Sequence, residues 1–538
     1  MKKTKNYCII ILLLSAALAL CGCDEKKTEE QTMNQNETVS VSPKVTDAPA
    51  KKNYEEIFAA MNPSETLKSP AYHNPLMVQR LGADPYALVY DGRVYIYMTG
   101  DVVETNPDGS PKPNSYSKIN TINVISSDDL VNWTDHGSVL AAGVKGAAKW
   151  GGNSWAPAAA CKEIDGKMQF FLYFANSGNG IGVLRSDSPV GPFTDPIGKA
   201  LINRSTPNCA NVTWLFDPAV LVDNDGCGYL YVGGGVPGGQ APSADQIEHP
   251  YTARMVKLGE DMISLACDPI SLDPPFLFED SGINRFGDTY YYSYCSNFNV
   301  DGHPNASKYN VRNGQICYMT SKNPLGPFTY QGAILKNPGD YFGPGGNNHH
   351  CIFEFEGTTY ITYHSQILDK PLKTGGGYRC THIDVLPVSE DGTISMGTGT
   401  KTGVAQLKPF DPYREVSAAT MSTMGGINTV PADLQTAECG SGTMAVSDID
   451  EGDWLMLSAV DFGTGAKKFT AEFAATGEAE GAVLVRLDNL NGGTDVAILT
   501  VENGTCSITL PEGVSGVHNL YFLFAGSGYT FRSWKFEK

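Results

Sequence analysis

Residues 214–221 read W-L-F-D-P-A-V-L, and Asp217 stands directly before a run with the look of a buried strand. Four other stretches share that layout: D-P-Y-A-L-V-Y from Asp84, W-A-P-A-A-A-C from Trp155, E-D-S-G-I-N-R-F from Glu279 and H-H-C-I-F-E-F from His349. Each is followed, after a turn containing Gly, by a Tyr- or Phe-rich run: V-Y-I-Y-M-T at Val94, F-F-L-Y-F-A at Phe170, Y-L-Y-V-G-G at Tyr229, Y-Y-Y-S-Y-C at Tyr290 and Y-I-T-Y-H-S at Tyr360. Measured from the heads Asp84, Pro157, Asp217, Glu279 and His349, the intervals are 73, 60, 62 and 70 residues. A unit of that length, made of short strands and turns, predicts one four-stranded blade of a β-propeller lengthened by loop insertions.

If each head opens the innermost strand of its blade, all five project at one end of the central channel. Asp84, Asp217 and Glu279 are then neighbours. Carboxylates gathered at an axis repel one another and are costly to desolvate, so stability alone gives no reason to put them there. The alternative at any single position is an Asp-Pro pair that merely starts a turn. A second repeated signature, S-P-V-G-P-F-T at Ser188 and N-P-L-G-P-F-T at Asn323 with D-D-L-V-N-W-T at Asp128, suits outer-strand corners, so Phe193, Phe328 and Trp133 are expected to pack blades.

A chain of 538 residues exceeds one core, so at least two domains are expected. The formal charge of -19 argues against nucleic acid as a ligand, because a polyanion needs a basic surface. With 58 Gly, 32 Pro and 10% aromatic residues, the composition suits an all-β protein rich in turns and suits neutral sugars. Lys2, Lys3 and Lys5 precede an apolar run at 8–20 that is shorter than the ~20 residues a membrane span needs, which reads as a secretory leader. The composition of 24–53 turns to Glu, Thr, Gln, Asn, Ser and Pro, a polar tether that cannot bury a core. Ten cysteines beyond Cys23 form no C-x-x-C pair, which disfavours a zinc or thioredoxin-type site, and their spacings give no disulfide framework. Asp223 and Asp225 in V-D-N-D-G-C-G lack the remaining ligands of an EF-hand, so a hairpin turn is expected there.

Two resemblances extend this reading. Leu20-Cys21-Gly22-Cys23 resembles the bacterial lipobox, which implies cleavage before Cys23, a lipid on its sulfur, and an exported protein anchored at the cell surface or envelope. The stretches A-D-P-Y-A-L-V-Y-D-G-R-V-Y, N-S-W-A-P-A, F-F-L-Y-F-A-N-S-G-N-G-I-G-V-L, W-L-F-D-P-A-V-L-V-D, F-E-D-S-G-I and G-G-N-N-H-H resemble glycoside hydrolase family 43, closest to its arabinoxylan arabinofuranohydrolases. That resemblance implies a five-bladed propeller and inverting hydrolysis of α-L-arabinofuranosyl branches, with Asp84 as general base, Glu279 as general acid and Asp217 tuning the acid. It further implies that Arg379 in G-G-Y-R-C-T-H reaches the sugar, and that His349 helps hold a central calcium through waters. Trp155 is expected to line the deepest subsite and Trp214 to stack on the polysaccharide, with core packing as the alternative for each. No organic cofactor is implied, and a monomer is expected. β-Xylosidase and endo-arabinanase share the same three acids and remain open, as does a non-catalytic lipoprotein that captures polysaccharide.

Beyond Tyr413 the pattern changes to short alternating strands at Trp454, Lys468, Ala482 and Leu520, a β-sandwich reading. The segments G-D-W-L, V-D-F-G-T-G-A, V-R-L-D and G-V-H-N-L-Y-F-L-F resemble a family 6 carbohydrate-binding module. Ser417 and Ala419 stand where that family has a glutamate pair, which argues against its structural calcium here, and residues 501–514 lack its tryptophan-bearing strand, so sugar binding and a structural appendage both remain open. The expected order is a lipoprotein leader at 1–23, a tether at 24–53, a propeller at 54–410 and a sandwich at 411–538.

Overall fold

Five antiparallel sheets follow one another along the chain, each built in sequence order from its innermost strand outward. They belong to a computed structural model that describes residues 52–538, so the leader with Cys23 and nearly all of the tether lie outside the described residues. The innermost strands are Ala83–Tyr90, Trp155–Ile164, Ala219–Val222, Leu277–Phe286 and His350–Phe355, which open blades I to V. Each packs against the innermost strands of its two neighbours, and that of blade V packs against blade I, so the five form a closed ring. The Tyr- and Phe-rich runs are the second strands, Arg93–Thr99, Lys167–Ala175, Gly228–Val232, Thr289–Ser296 and Thr358–Ser365. Their aromatic side chains, Tyr97, Tyr173, Tyr231, Tyr292 and Tyr363 among them, are fully buried between blades. Trp133 and Phe193 are buried and Phe328 packs on the same core, as their corner positions suggested.

Two blades depart from the four-stranded expectation. Blade V has three strands, ending with Cys380–Val385. Residues 74–82 run along its open edge: Leu76 donates its N–H to Thr381 O at 2.8 Å, and the Asn74 side chain bonds the Ile383 backbone in both directions at 2.9 Å. Pro75 has no N–H, so this segment ties the start of the propeller to its last blade without forming a regular ladder. Blade I gains a fifth strand, Thr420–Met421, which pairs with Trp133 and Thr134.

The Asp223–Asp225 segment is a hairpin turn, closed by the Asp223 N–H on Cys227 O at 2.9 Å. All ten cysteines among the described residues are free thiols, and Cys295 and Cys351 are buried.

The C-terminal region is a sandwich made from one nine-stranded sheet. Its two longest strands, Ala466–Leu487 and Val517–Glu537, pair with each other through register shifts at Glu472/Phe473 and Ala475/Glu480. The runs at Lys468 and Ala482 therefore lie on one strand that continues past the shift, where a bulge bends a strand and lets it serve both layers. Phe469, Phe473, Phe522, Phe531, Trp534 and Phe536 fill the interior.

The domain boundary differs from the sequence reading. The helix Tyr54–Ala60, expected to begin the propeller, inserts Phe58 among Trp454, Met456, Leu484, Tyr521 and Leu523 on an outer face of the sandwich. Ser64 then donates to Asp453 at 2.6 Å, and Ser64 O accepts from Trp454 Nε1 at 2.9 Å. That sandwich face is apolar and needs a cover, which explains the crossing.

The sandwich is fastened to blade I by a buried carboxylate. Asp135 pairs with Arg80, accepts from Thr429 Oγ1 at 2.7 Å and Gln79 Nε2 at 3.1 Å, and accepts the Gly137 N–H at 2.8 Å. Burial opposes its charge most strongly, but Arg80 and these donors outweigh burial and hold its pKa below the usual range. Asn132 and Ser458 add a two-way backbone clamp at 2.7 and 3.0 Å. Asp135→Ala removes the acceptor that these donors share and is expected to destabilise the protein by about 3 kcal/mol, read from urea unfolding. A loss below about 1 kcal/mol would assign the docking to apolar contact alone.

Candidate active site

The heads of four innermost strands share one backbone feature. Asp84, Ala156, Asp217 and Asp280 have φ of 48°, 42°, 47° and 69°. In three of these blades the ladder slips at the same place, between Ala83 and Tyr86, Trp155 and Ala158, and Glu279 and Gly282. A left-handed residue costs on the order of 1 kcal/mol or more, least for Asp, and such bulges re-aim side chains out of the ladder. Here Asp84 and Asp217, with Trp155 and Glu279 that directly precede Ala156 and Asp280, meet at one cavity.

The cavity measures about 170 Å³, well below the ~300–1,000 Å³ of a site for a drug-sized ligand, a size that suits one sugar ring. Asp84, Asp217 and Glu279 line it together with Trp155, His349 and Arg379. Trp214 does not. It is 36% exposed beside the cavity, with its ring edge-on to Phe216 at 5.4 Å, and Phe216 forms part of the wall.

Asp84 is held as an anion. Its carboxylate accepts from Arg379 Nη1 at 2.8 Å and lies 3.3 Å from His364 Nδ1 and 3.6 Å from His349 Nδ1. Burial pushes its pKa up, but Arg379, His349 and His364 together overcome this and hold it far below the carboxylate range. Arg379 is itself anchored by Asp101, which accepts from its Nε at 3.0 Å, its Nη2 at 2.7 Å and its backbone N–H at 3.0 Å.

Glu279 is pushed the other way. Burial raises its pKa most, followed by the charges of Asp217 and Asp84. Its Oε1 is buried and has no hydrogen-bond partner among the described residues. Asp217 is also raised, by burial first and by Asp84 second, yet its Oδ2 accepts the Asp280 N–H at 3.0 Å. A donor on one carboxylate favours its ionised form, so of this pair Glu279 keeps the proton. The cavity thus presents an ionised carboxylate and a protonated one, which is what paired general base and general acid chemistry requires.

Residues 72–394 match the model of Glycosyl hydrolases family 43, and residues 417–538 match that of Carbohydrate binding module (family 6). The chain belongs to glycosyl hydrolases family 43. It is 48% identical over 474 residues to an arabinoxylan arabinofuranohydrolase of Paenibacillus polymyxa, covering 86% of this chain and 73% of that one. It is also 48% identical over 483 residues to an arabinoxylan arabinofuranohydrolase of Bacillus subtilis (strain 168), covering 86% and 92%. A crystal structure of a family 43 arabinoxylan arabinofuranohydrolase from Bacillus subtilis, in complex with cellotetraose, superposes with a TM-score of 0.81 at 45% identity and covers 88% of this chain and 98% of that one.

Within this family 43 site, several participants escaped sequence reasoning. Tyr116 comes from the loop between two strands of blade I, lies under the Arg379 guanidinium at 5.0 Å and accepts Trp155 Nε1 on its backbone O at 3.0 Å. Ile119, Phe216 and Asn347 complete the wall. Asp101 and Asp280 stand behind it. Asp280 follows Glu279 directly, and the E-D pair was visible in the chain, but nothing local showed that its carboxylate turns inward.

Both Asp280 oxygens are engaged by histidines: Oδ1 lies 3.1 Å from His349 Nε2, and Oδ2 bonds His350 Nδ1 at 2.5 Å. Burial is the main influence on His349 and lowers its pKa. Calcium takes six to eight oxygens, whereas His349 offers nitrogens already facing Asp280, Asp84 and Asp217. Among the described residues no group of three or more His, Cys, Asp or Glu side chains is arranged to hold a metal. The side chains around His349 do not by themselves fit a calcium shell, and the chemistry below uses none.

Asp217→Asn removes the strongest charge, after burial, acting to raise Glu279, so the Glu279 pKa falls. The alkaline limb of the pH profile of kcat/KM, where the acid loses its proton, is expected to move to lower pH. An unmoved limb would detach Asp217 from Glu279.

Proposed function

We propose that this family 43 chain is an inverting α-L-arabinofuranosidase that removes arabinofuranosyl branches from arabinoxylan. The observation that carries this reading is that Asp84, bonded by Arg379, and Glu279, with its buried Oε1 unpartnered among the described residues, line one cavity of single-sugar size. The 48% identity to two arabinoxylan arabinofuranohydrolases supports the substrate over xylobiose or arabinan. A protein that only captured polysaccharide would have no use for a base and an acid held in opposite states.

In the reaction, Asp84 takes a proton from a water that attacks the anomeric carbon, and Glu279 gives its proton to the oxygen leaving with the xylan chain. Inversion requires room for that water, with the two carboxyl groups about 6.5–9.5 Å apart. Asp217, fixed by the Asp280 N–H, keeps the acid protonated until bond cleavage. Arg379 keeps the base ionised and leaves part of its guanidinium facing the cavity, beside Trp155, for the sugar. Trp214 offers an exposed ring at the rim for the main chain. The module at 417–538 is rigidly docked to blade I through Asp135, whatever its own affinity for sugar.

Digestion of wheat arabinoxylan, debranched arabinan and xylobiose is expected to release arabinose from the first alone, with the β-anomer appearing first by proton NMR. Glu279→Gln and Asp84→Asn should each lower kcat by about 10²–10⁴-fold with the fold retained. An initial α-anomer, or a variant keeping more than half the rate, would overturn the assignment.

The leader sequence supports a further reading, in which the enzyme is exported and carries a lipid on Cys23. Cys23→Ser is then expected to shift the protein from the detergent phase to the aqueous phase on Triton partition; an unchanged partition would remove the anchor.

A further inference from the structure

Tyr116 reaches the catalytic cavity from a hairpin rather than from a blade. Glu104–Thr105 and Pro111–Lys112 pair as two short strands in the loop between the second and third strands of blade I, and Tyr116 follows them into the cavity wall. Blade V holds this hairpin down. Tyr378 Oη accepts the Glu104 N–H at 2.8 Å and donates to Lys112 O at 2.9 Å, so one phenol grips both strands. The Asn114 N–H donates to Gly376 O at 3.0 Å, and Gly375 approaches Lys112 so closely that a Cβ there would fall 2.1 Å from its carbonyl carbon. Within the hairpin, Glu104 accepts from Lys112 Nζ at 2.6 Å and from the Ser115 N–H at 3.0 Å. Both arms of the clasp adjoin the site, since Tyr378 directly precedes Arg379 and Ser115 directly precedes Tyr116.

Tyr116 is fixed in an unusual conformation. Its φ is 59°, a left-handed value that a bulky residue rarely adopts and that persists only where the surroundings impose it. Asn114 Oδ1 accepts its N–H at 2.9 Å, and its O accepts from Trp155 Nε1 at 3.0 Å. The ring is held as well, with the Arg379 guanidinium 5.0 Å from its centroid and the Trp155 ring edge-on at 6.4 Å. A phenylalanine would make every one of these contacts. What tyrosine adds is a hydroxyl, and both hydrogen bonds of Tyr116 run through its backbone, so among the described residues the hydroxyl has no protein partner. Burial raises its pKa most, and the charges of Asp101, Asp84 and Glu279 act in the same direction against the pull of Arg379, so the phenol keeps its proton and can donate it in a hydrogen bond.

We propose that Tyr116 is a further substrate-binding residue, whose half-buried side chain donates its hydroxyl proton to a hydroxyl of the arabinofuranosyl ring in the cavity. The proposal rests on the reading of Asp84 as the base. An inverting base works on the face of the sugar opposite the leaving group, and the Arg379 guanidinium that bonds Asp84 also lies on the Tyr116 ring. Tyr116 therefore meets the ring being released rather than the xylan chain that departs. The clasp to blade V sets the donor in place before the sugar arrives, so its hydrogen bond carries little ordering cost.

Tyr116→Phe keeps the ring, its contact with Arg379 and both backbone bonds, and removes the donor alone. Its melting temperature should match the wild type, and kcat/KM should fall about fivefold on an aryl α-L-arabinofuranoside and on wheat arabinoxylan alike, because the two share the arabinosyl ring. Aryl 2-, 3- and 5-deoxy-arabinofuranosides then locate the contact. On the one that lacks the contacted hydroxyl, wild type and variant should cleave equally well, as in a double-mutant cycle. No loss on the parent glycoside, a loss confined to arabinoxylan, or one wild-type-to-variant ratio across all the aryl substrates overturns the contact while leaving the activity standing. A lowered melting temperature also overturns it, since the hydroxyl would then serve the fold. A wild type that cleaves only aryl β-D-xylopyranosides would sink the arabinofuranosidase reading; Tyr116 stays a sugar contact if Tyr116→Phe is impaired on them, and falls with that reading if it is not.

Discussion

The ion pair between Arg379 and Asp84 is the interaction on which the site depends. Three buried carboxylates converge on one cavity, where each unpaired charge would be several kcal/mol too costly to keep. Arg379 bonds Asp84 directly and is itself fixed by two side-chain bonds to Asp101. That anchorage puts the positive charge directly on the base, while at the acid the pull of Arg379 is outweighed by burial and by the charges of Asp217 and Asp84. The asymmetry separates two chemically similar side chains into an anion and a neutral acid.

The backbone supplies the second condition. A regular innermost strand alternates its side chains between the two faces of its blade. Left-handed residues at Asp84, Ala156, Asp217 and Asp280 break that alternation and turn the blade heads toward one point. Strain of this kind persists only where surrounding structure over-determines it. The closed ring of innermost strands, with residues 74–82 locked along blade V, provides that structure.

The sandwich is integral to the same body rather than loosely joined to it. It lends a strand to blade I, accepts the N-terminal helix on its outer face and shares a buried carboxylate cluster with the propeller. Its orientation relative to the cavity is therefore set by covalent crossing and by Asp135 at once.

The propeller was legible because its blades repeat: five heads, each followed by an aromatic strand, carry a period that survives loops of unequal length. Asp84, Asp217, Glu279, Trp155 and His349 stood in the repeated blade-head stretches and Arg379 was named through the family resemblance, and the structure brings every one of them to one cavity. Motifs mark residues whose chemistry is unusual for their place in a strand, and such residues stand out in a linear chain. Asp101, Tyr116, Phe216 and Asn347 did not stand out, because an acid, an aromatic or an amide in a loop is ordinary until another segment folds against it, and Asp280 was masked by the neighbouring Glu279 on the same strand. Which domain the first helix covers, and which segment runs along the open edge of blade V, were likewise decided by contacts hundreds of residues apart in sequence, such as Ser64 with Asp453 and Leu76 with Thr381. Residue types and their period determined the fold class and the chemistry on offer; which carboxyl carries the charge is set by burial and by Arg379, and these exist only once the ring has closed.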